Sequence, residues 1–218
     1  MNSPDSPAVT ASATKVRPLV WLAWLTILSC LAWFVITNVP RYLVVTPESY
    51  GGYFWPKVSW LLPHVASGLL AILIGPLQFW PRIRRDYLQF HRIAGRVYVV
   101  TALAGSVAAF GLASSVEAGD AAYAMGLSGL ALAWIVTTTM AFVAIRRKIL
   151  AQHKQWMIRS YVVAFAFVTF RLAEDLMSAT NIMPGHERSS VLAWGCWAIP
   201  LLFTEVAIQA SAVFKRRG

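Results

Sequence analysis

The chain has 218 residues, of which 58% are hydrophobic and only 13% charged, with ten tryptophans and a formal net charge of +10. Soluble domains carry about a quarter charged residues, so a water-soluble globular fold is excluded. The two cysteines, Cys30 and Cys196, both fall inside apolar runs, so no disulfide framework or thiol metal site is implied.

Residues 1–18, MNSPDSPAVTASATKVRP, are polar and rich in Pro, Ser and Ala, the composition of a disordered tail. Six apolar runs follow, near Leu19–Thr37, Val58–Trp80, Val97–Val116, Ala122–Ile145, Trp156–Met177 and Val191–Phe214. Each approaches the roughly 20 residues that a helix needs to cross about 30 Å of hydrocarbon. The first is too long for a signal-peptide core and no small-residue cleavage site follows it, so it reads as an uncleaved anchor. The expected fold is all-α: a single domain over residues 19–214, built as a polytopic bundle of six transmembrane helices.

Between the first two runs lies NVPRYLVVTPESYGGYFWPK, long and aromatic. Its Tyr42, Tyr50, Tyr53, Phe54 and Trp55 read as an interfacial aromatic belt or, more sharply, as a cap over a cavity. The second run spaces His64, Ser67, Gly68, Ala71, Gly75 and Gln78 on one helical face. The third does so with Gly95, Tyr98, Ala102, Gly105 and Ala109, and the fourth with Gly126, Gly129, Ala133 and Thr137. Small faces let helices approach closely in lipid, where packing and hydrogen bonds must drive association.

The connections after the second and fourth runs nearly repeat each other. IRRDYLQFHR (83–92) and IRRKILAQHK (145–154) both place Ile-Arg-Arg, five residues, a histidine and a basic residue. Arg96, Tyr98, Val99 and Val100 follow the first copy; Arg159, Tyr161, Val162 and Val163 follow the second. ASGLLA (66–71) and LSGLALA (127–133) extend the likeness upstream. The chain therefore reads as a tandem repeat of a two-helix hairpin, 58–116 and 122–177, with one further helix at each flank. Parallel repeats of this kind assemble about an axis along the membrane normal, which would make spans 3 and 5 equivalent neighbours.

The placement of charge sets the threading. With the N-terminus inside, the cytoplasmic segments hold Lys15, Arg17, Arg82, Arg84, Arg85, Arg92, Arg96, Arg146, Arg147, Lys148, Lys154, Arg159, Lys215, Arg216 and Arg217. The external loops hold Arg41, Lys57 and Arg188. That asymmetry predicts both termini in the cytoplasm. The basic surplus is then a topology signal that also attracts anionic lipid headgroups, and nucleic acid is not an expected partner.

Ionisable groups within spans are costly, at least about 2.5 kcal/mol each near the membrane centre, and mark sites of interest. Arg171 stands on the fifth run with Glu174 and Asp175 one turn on; His64 lies at a similar depth on the second. Either Glu174 neutralises Arg171, or His64, Arg171 and Asp175 line a polar pocket toward the outside. Glu205 and Gln209 lie in the inner half of the sixth run, with Gln78 or a loop arginine as partners for the carboxylate. His186, in the short loop NIMPGHERSS, reads as a solvated residue.

His91 and His153 would stand at equal height at the cytoplasmic entrances of spans 3 and 5. Two imidazoles on neighbouring helices can ligate haem iron axially, and Arg92, Arg96, Lys154 and Arg159 would suit its propionates. Charges flank both histidines, so residues meeting headgroups or capping helices are the plainer reading.

PHVASGLLAILIGPLQF, FHRIAGRVYVV and HKQWMIRSYVVAFAFVTFRL resemble the signatures of the bacterial membrane proteins called domain of unknown function 2306, over residues 50 to 175. The likeness includes His64, Gly68, Gly75, Pro76, Gln78, His91, Arg92, Gly95, Arg96, His153, Trp156, Met157, Arg159, Ser160 and Arg171. It implies that His64, His91, His153 and Arg171 belong together, and it implies no activity.

Three functions are expected of such a chain in a bacterial inner membrane. The first is electron transfer with haem b between His91 and His153. The second is a scaffold or assembly factor within a membrane complex or a homo-oligomer. The third is a sensor or transporter of a small molecule using the outer pocket. Neither a Walker loop nor a zincin helix nor a GxSxG elbow occurs, so nucleotide and hydrolase readings lack support.

Overall fold

The computed structural model describes residues 18–116 and 120–215; residues 1–17 of the predicted disordered tail lie outside them, and Pro18 opens the first helix. Among the described residues all regular structure is helical. The order is α1 (Pro18–Asn38), α2 (Pro47–Phe54), α3 (Val58–Phe79), α4 (Pro81–Asp86), α5 (Leu88–Ala113), α6 (Ala121–Arg146), α7 (Leu150–Ala164), α8 (Ala166–Ala179) and α9 (Gly185–Lys215), with short 3-10 turns on either side of α2. Helices α1, α3, α5, α6 and α9 are each long and apolar enough to cross a membrane. Their outward faces stay apolar, as at Leu25 (63% exposed) and Phe203 (68%), where lipid rather than protein satisfies the side chain.

The predicted boundaries shift at two places that matter. The third helix begins at Leu88 rather than Val97, so His91, Arg92 and Arg96 are part of α5. The fifth run is interrupted: α7 and α8 meet at Phe165, whose amide donates back to Tyr161 O and whose carbonyl accepts from Val168 N at 3.0 Å. Neither half alone is as long as the helices that qualify as spans.

Helices α3 and α5 pack together most extensively, followed by α6 and α7; α5 then leans on α6, and α9 covers α6, α7 and α8. Helix α4 forms the connection within the first pair, and a tight turn at Lys148, with φ of 61°, forms it within the second. One expectation needs correcting. Helices α5 and α7 make no extended contact, and each packs more widely on α6. What joins them is polar: Tyr98 Oη and Ser160 Oγ are 2.9 Å apart, and Thr138 Oγ1 of α6 is 2.7 Å from the same Ser160 oxygen. All three side chains are fully buried, and a hydroxyl that both donates and accepts can serve two partners.

The small faces do the packing expected of them. Gly105 lies against Ser67 and Trp134, and Gly126 against Ala193 and Trp194 of α9. The closest approach is at Gly75, where any Cβ would collide with the ring of Tyr161. A proline inside a helix removes the amide that its i−4 carbonyl needs. Pro76 leaves Ile72 O without that amide, and Tyr161 Oη donates to it at 3.2 Å. Pro200 does the same to Cys196 O in α9, and Thr169 Oγ1 lies 3.0 Å from it. Tyr161 and Thr169 stand one turn either side of the Phe165 break, so each half of the broken helix is tied to a different neighbour.

Candidate functional site

The bundle holds a cavity of about 190 Å³ that opens at the end carrying α2. Helices α3 and α6 run down from that end, and the cavity follows them from Leu61 to Ile72 and from Tyr123 to Trp134. Eleven helical steps of 1.5 Å make it about 17 Å deep. The segment between α1 and α3 contributes Arg41, Tyr42, Tyr53, Phe54 and Lys57 to its mouth. Leu130, Ala131, Val163 and Ala164 make the floor apolar, beside the Phe165 break.

His64 and Arg171 both line this cavity. His64 is buried; its Nδ1 lies 3.0 Å from Gly105 O, and its ring meets Phe167 edge to face at 5.1 Å. A carbonyl can only accept, so Nδ1 carries the proton and Nε2 is the nitrogen left for another partner. Arg171 is half-buried, with the Phe170 ring 5.9 Å away and no hydrogen-bond or ion-pair partner among the described residues.

Glu174 does not neutralise Arg171. It accepts from Nε and Nη2 of Arg188, both at 2.9 Å, in a pair whose side chains are 13% and 19% exposed. Asp175 is exposed and lies outside the cavity lining. The cavity is therefore lined by three cations, Arg41, Lys57 and Arg171, and by no carboxylate among the described residues. Tyr42 and Tyr53 hold the two outer cations by their ring faces, with Arg41 Cζ at 4.8 Å and Lys57 Nζ at 3.5 Å from the ring centres.

The remaining predicted residues gather at the opposite end, which carries α4. Arg159 is buried and gives Nε and Nη2 to Glu205 Oε2 at 2.8 and 2.6 Å, with its guanidinium 4.6 Å from the Trp156 ring centre. Gln209 Nε2 donates to the other oxygen of Glu205 at 2.7 Å. Gln78 is buried over Gly95, with no partner for Nε2 in the described residues, and His91 Nδ1 is likewise unpartnered. His153 is held by Nδ1 on Ala141 O at 2.9 Å. Arg92, Arg96 and Lys154 are exposed.

Arg159 is held by Glu205 rather than free for a propionate, and Arg92 and Arg96 are exposed. The four residues that the family likeness groups therefore fall into two places, His64 with Arg171 at one end and His91 with His153 at the other. The sequence reading missed Arg41, Lys57 and Trp134 as cavity residues. For the first two a signal existed: two of the three cations assigned to the external loops bracket the aromatic segment. A single tryptophan in an apolar run carried none.

A family model described as "Predicted membrane protein (DUF2306)" matches residues 61–208. No curated protein and no solved structure matches the chain.

Proposed function

The chain belongs to this family of predicted membrane proteins, and from that premise we propose that it is a six-span protein of a bacterial plasma membrane whose cavity receives a small anion from the outside, as the binding site of a sensor or carrier. The sixth span in this reading is the pair α7 and α8. With Phe165 they cover residues 150–179, about 45 Å of helix, more than the hydrocarbon thickness. The asymmetry of basic residues supports the orientation. Arg82, Arg84, Arg85, Arg92, Arg146, Arg147, Lys148 and Lys154 cluster at the α4 end, which is then cytoplasmic and faces anionic headgroups. The cavity mouth faces out.

One observation carries the functional reading: Arg41, Lys57 and Arg171 line a cavity to which no described carboxylate contributes. An intramembrane cation is retained against its desolvation cost where something stabilises it, and Arg171 lacks an internal counterion among the described residues. A bound anion supplies that counterion through charge-assisted hydrogen bonds, which the low-dielectric walls strengthen. Haem ligation by His91 and His153 is the weaker reading, since Arg159, an expected propionate partner, is bound to Glu205.

The test is binding of an aromatic sulfonate dye to the protein in zwitterionic nanodiscs, with empty nanodiscs subtracted. Hydrogen bonds to charged groups contribute about 1.5–3 kcal/mol, so Arg171→Gln should weaken saturable binding about tenfold or more. A cationic dye of similar shape should not saturate. Equal binding by the wild-type and Arg171→Gln proteins would overturn the proposal.

A further inference from the structure

We infer that the ligand is an anionic amphiphile with one medium-length alkyl chain, its head among Arg41, Lys57 and Arg171 and its tail running past Gly68 to Trp134. This rests on the anion-binding reading above and adds the apolar half of the ligand. The cavity is cationic only at its mouth; below His64 and Phe167 its walls are Leu, Ile, Val, Ala and the Trp134 ring. A small hydrophilic anion would leave that lower part without a partner, whereas a chain fills it and gains the transfer energy of each buried methylene.

Size and shape limit the tail. An engineered apolar cavity of about 150 Å³ holds benzene, so about 190 Å³ accommodates a group of about eight carbon atoms. Spread over about 17 Å of depth, that volume is narrow, a channel for one chain. The two chains of a phospholipid do not fit, and a compact ring would fill only part of the length.

Gly68 offers a direct probe of the tail. It lines the cavity, and a Cβ built on it meets nothing within 4 Å, so a methyl group there enters cavity space without meeting the fold and a leucine side chain reaches further in. The experiment is equilibrium dialysis of labelled octanoate against the protein in phosphatidylcholine nanodiscs, with empty nanodiscs as the blank. Saturable binding is expected, about tenfold weaker in Gly68→Leu and less weakened in Gly68→Ala, with the thermal unfolding midpoint of neither variant lowered. Octylamine and acetate should not compete.

If acetate competes as well as octanoate, or Gly68→Leu binds like wild type, the chain inference is wrong while the anion site stands. If octylamine binds as well as octanoate and Arg171→Gln is without effect, the anion reading itself has failed. A phenylpropionate that outcompetes octanoate would replace the chain by a ring. Displacement of octanoate by phosphatidylglycerol added to the nanodisc would identify a two-chain lipid as the occupant and overturn the inference.

Discussion

The hydroxyl of Tyr161 donates to the carbonyl of Ile72 at 3.2 Å, the acceptor that Pro76 leaves without its helical amide. Tyr161→Phe therefore leaves a buried carbonyl unsatisfied. The expected loss is about 1 kcal/mol, between the average and the upper end for interhelical hydrogen bonds in membranes. In a Pro76→Ala background residue 76 supplies its own amide, so the same change should cost less. Thermal unfolding of the four proteins completes the cycle, and additive effects would show that the hydroxyl does not serve this carbonyl.

Two glycines on α3 should respond in opposite ways. At Gly75 a methyl group collides with the Tyr161 ring, and forced overpacking costs typically about 1–3 kcal/mol. At Gly68 the methyl group enters open space, and the gain in helix propensity is roughly 0.5–1 kcal/mol. Unfolding midpoints of Gly75→Ala and Gly68→Ala should fall on opposite sides of wild type. A Gly75→Ala protein as stable as wild type would mean that Tyr161 does not cross α3 there.

Arg159 and Glu205 form an asymmetric pair, with side chains 10% and 41% exposed. Removing the carboxylate strands a buried cation, whereas removing the arginine leaves a carboxylate that keeps Gln209 as a partner. Glu205→Leu should therefore destabilise more than Arg159→Leu loses through its ion pair alone. Arg159→Lys should recover little, because a lysine lacks the two-pronged contact with Oε2 and the planar group over Trp156. Full recovery by lysine would reduce the contact to a simple charge effect.

Both ends of the chain are expected in the cytoplasm. A phosphatase reporter fused after Gly218 should be inactive, and one inserted after Glu117 should be active. The reverse pattern would place the cavity mouth inside the cell and direct the search to cytoplasmic ligands.

Much of the architecture was legible in the order of residues. Apolar length marked the helices, because lipid tests each residue of a span separately for transfer out of water. Small residues marked the packed faces, from His64 to Gln78 on α3 and from Gly95 to Gly105 on α5, because helix geometry fixes which side chains share a face. The similar depths of His64 and Arg171 were legible for a related reason: depth follows from counting along spans.

The tertiary structure alone decided which group answers which. Glu174 goes to Arg188, fourteen positions on, rather than to Arg171 one turn away; Arg159 goes to Glu205, 46 positions on. The break at Phe165 has no proline or glycine of its own, and lies between hydroxyls tied to the carbonyls of Ile72 and Cys196 on two other helices. Arg41 and Lys57 join Arg171 around one cavity only because the α2 segment folds back over the bundle. Hydropathy and helix periodicity act within a segment, but the partner of a buried charge or an orphaned carbonyl is set by the rotation of each helix against its neighbours. That rotation is chosen by the packing of all of them together.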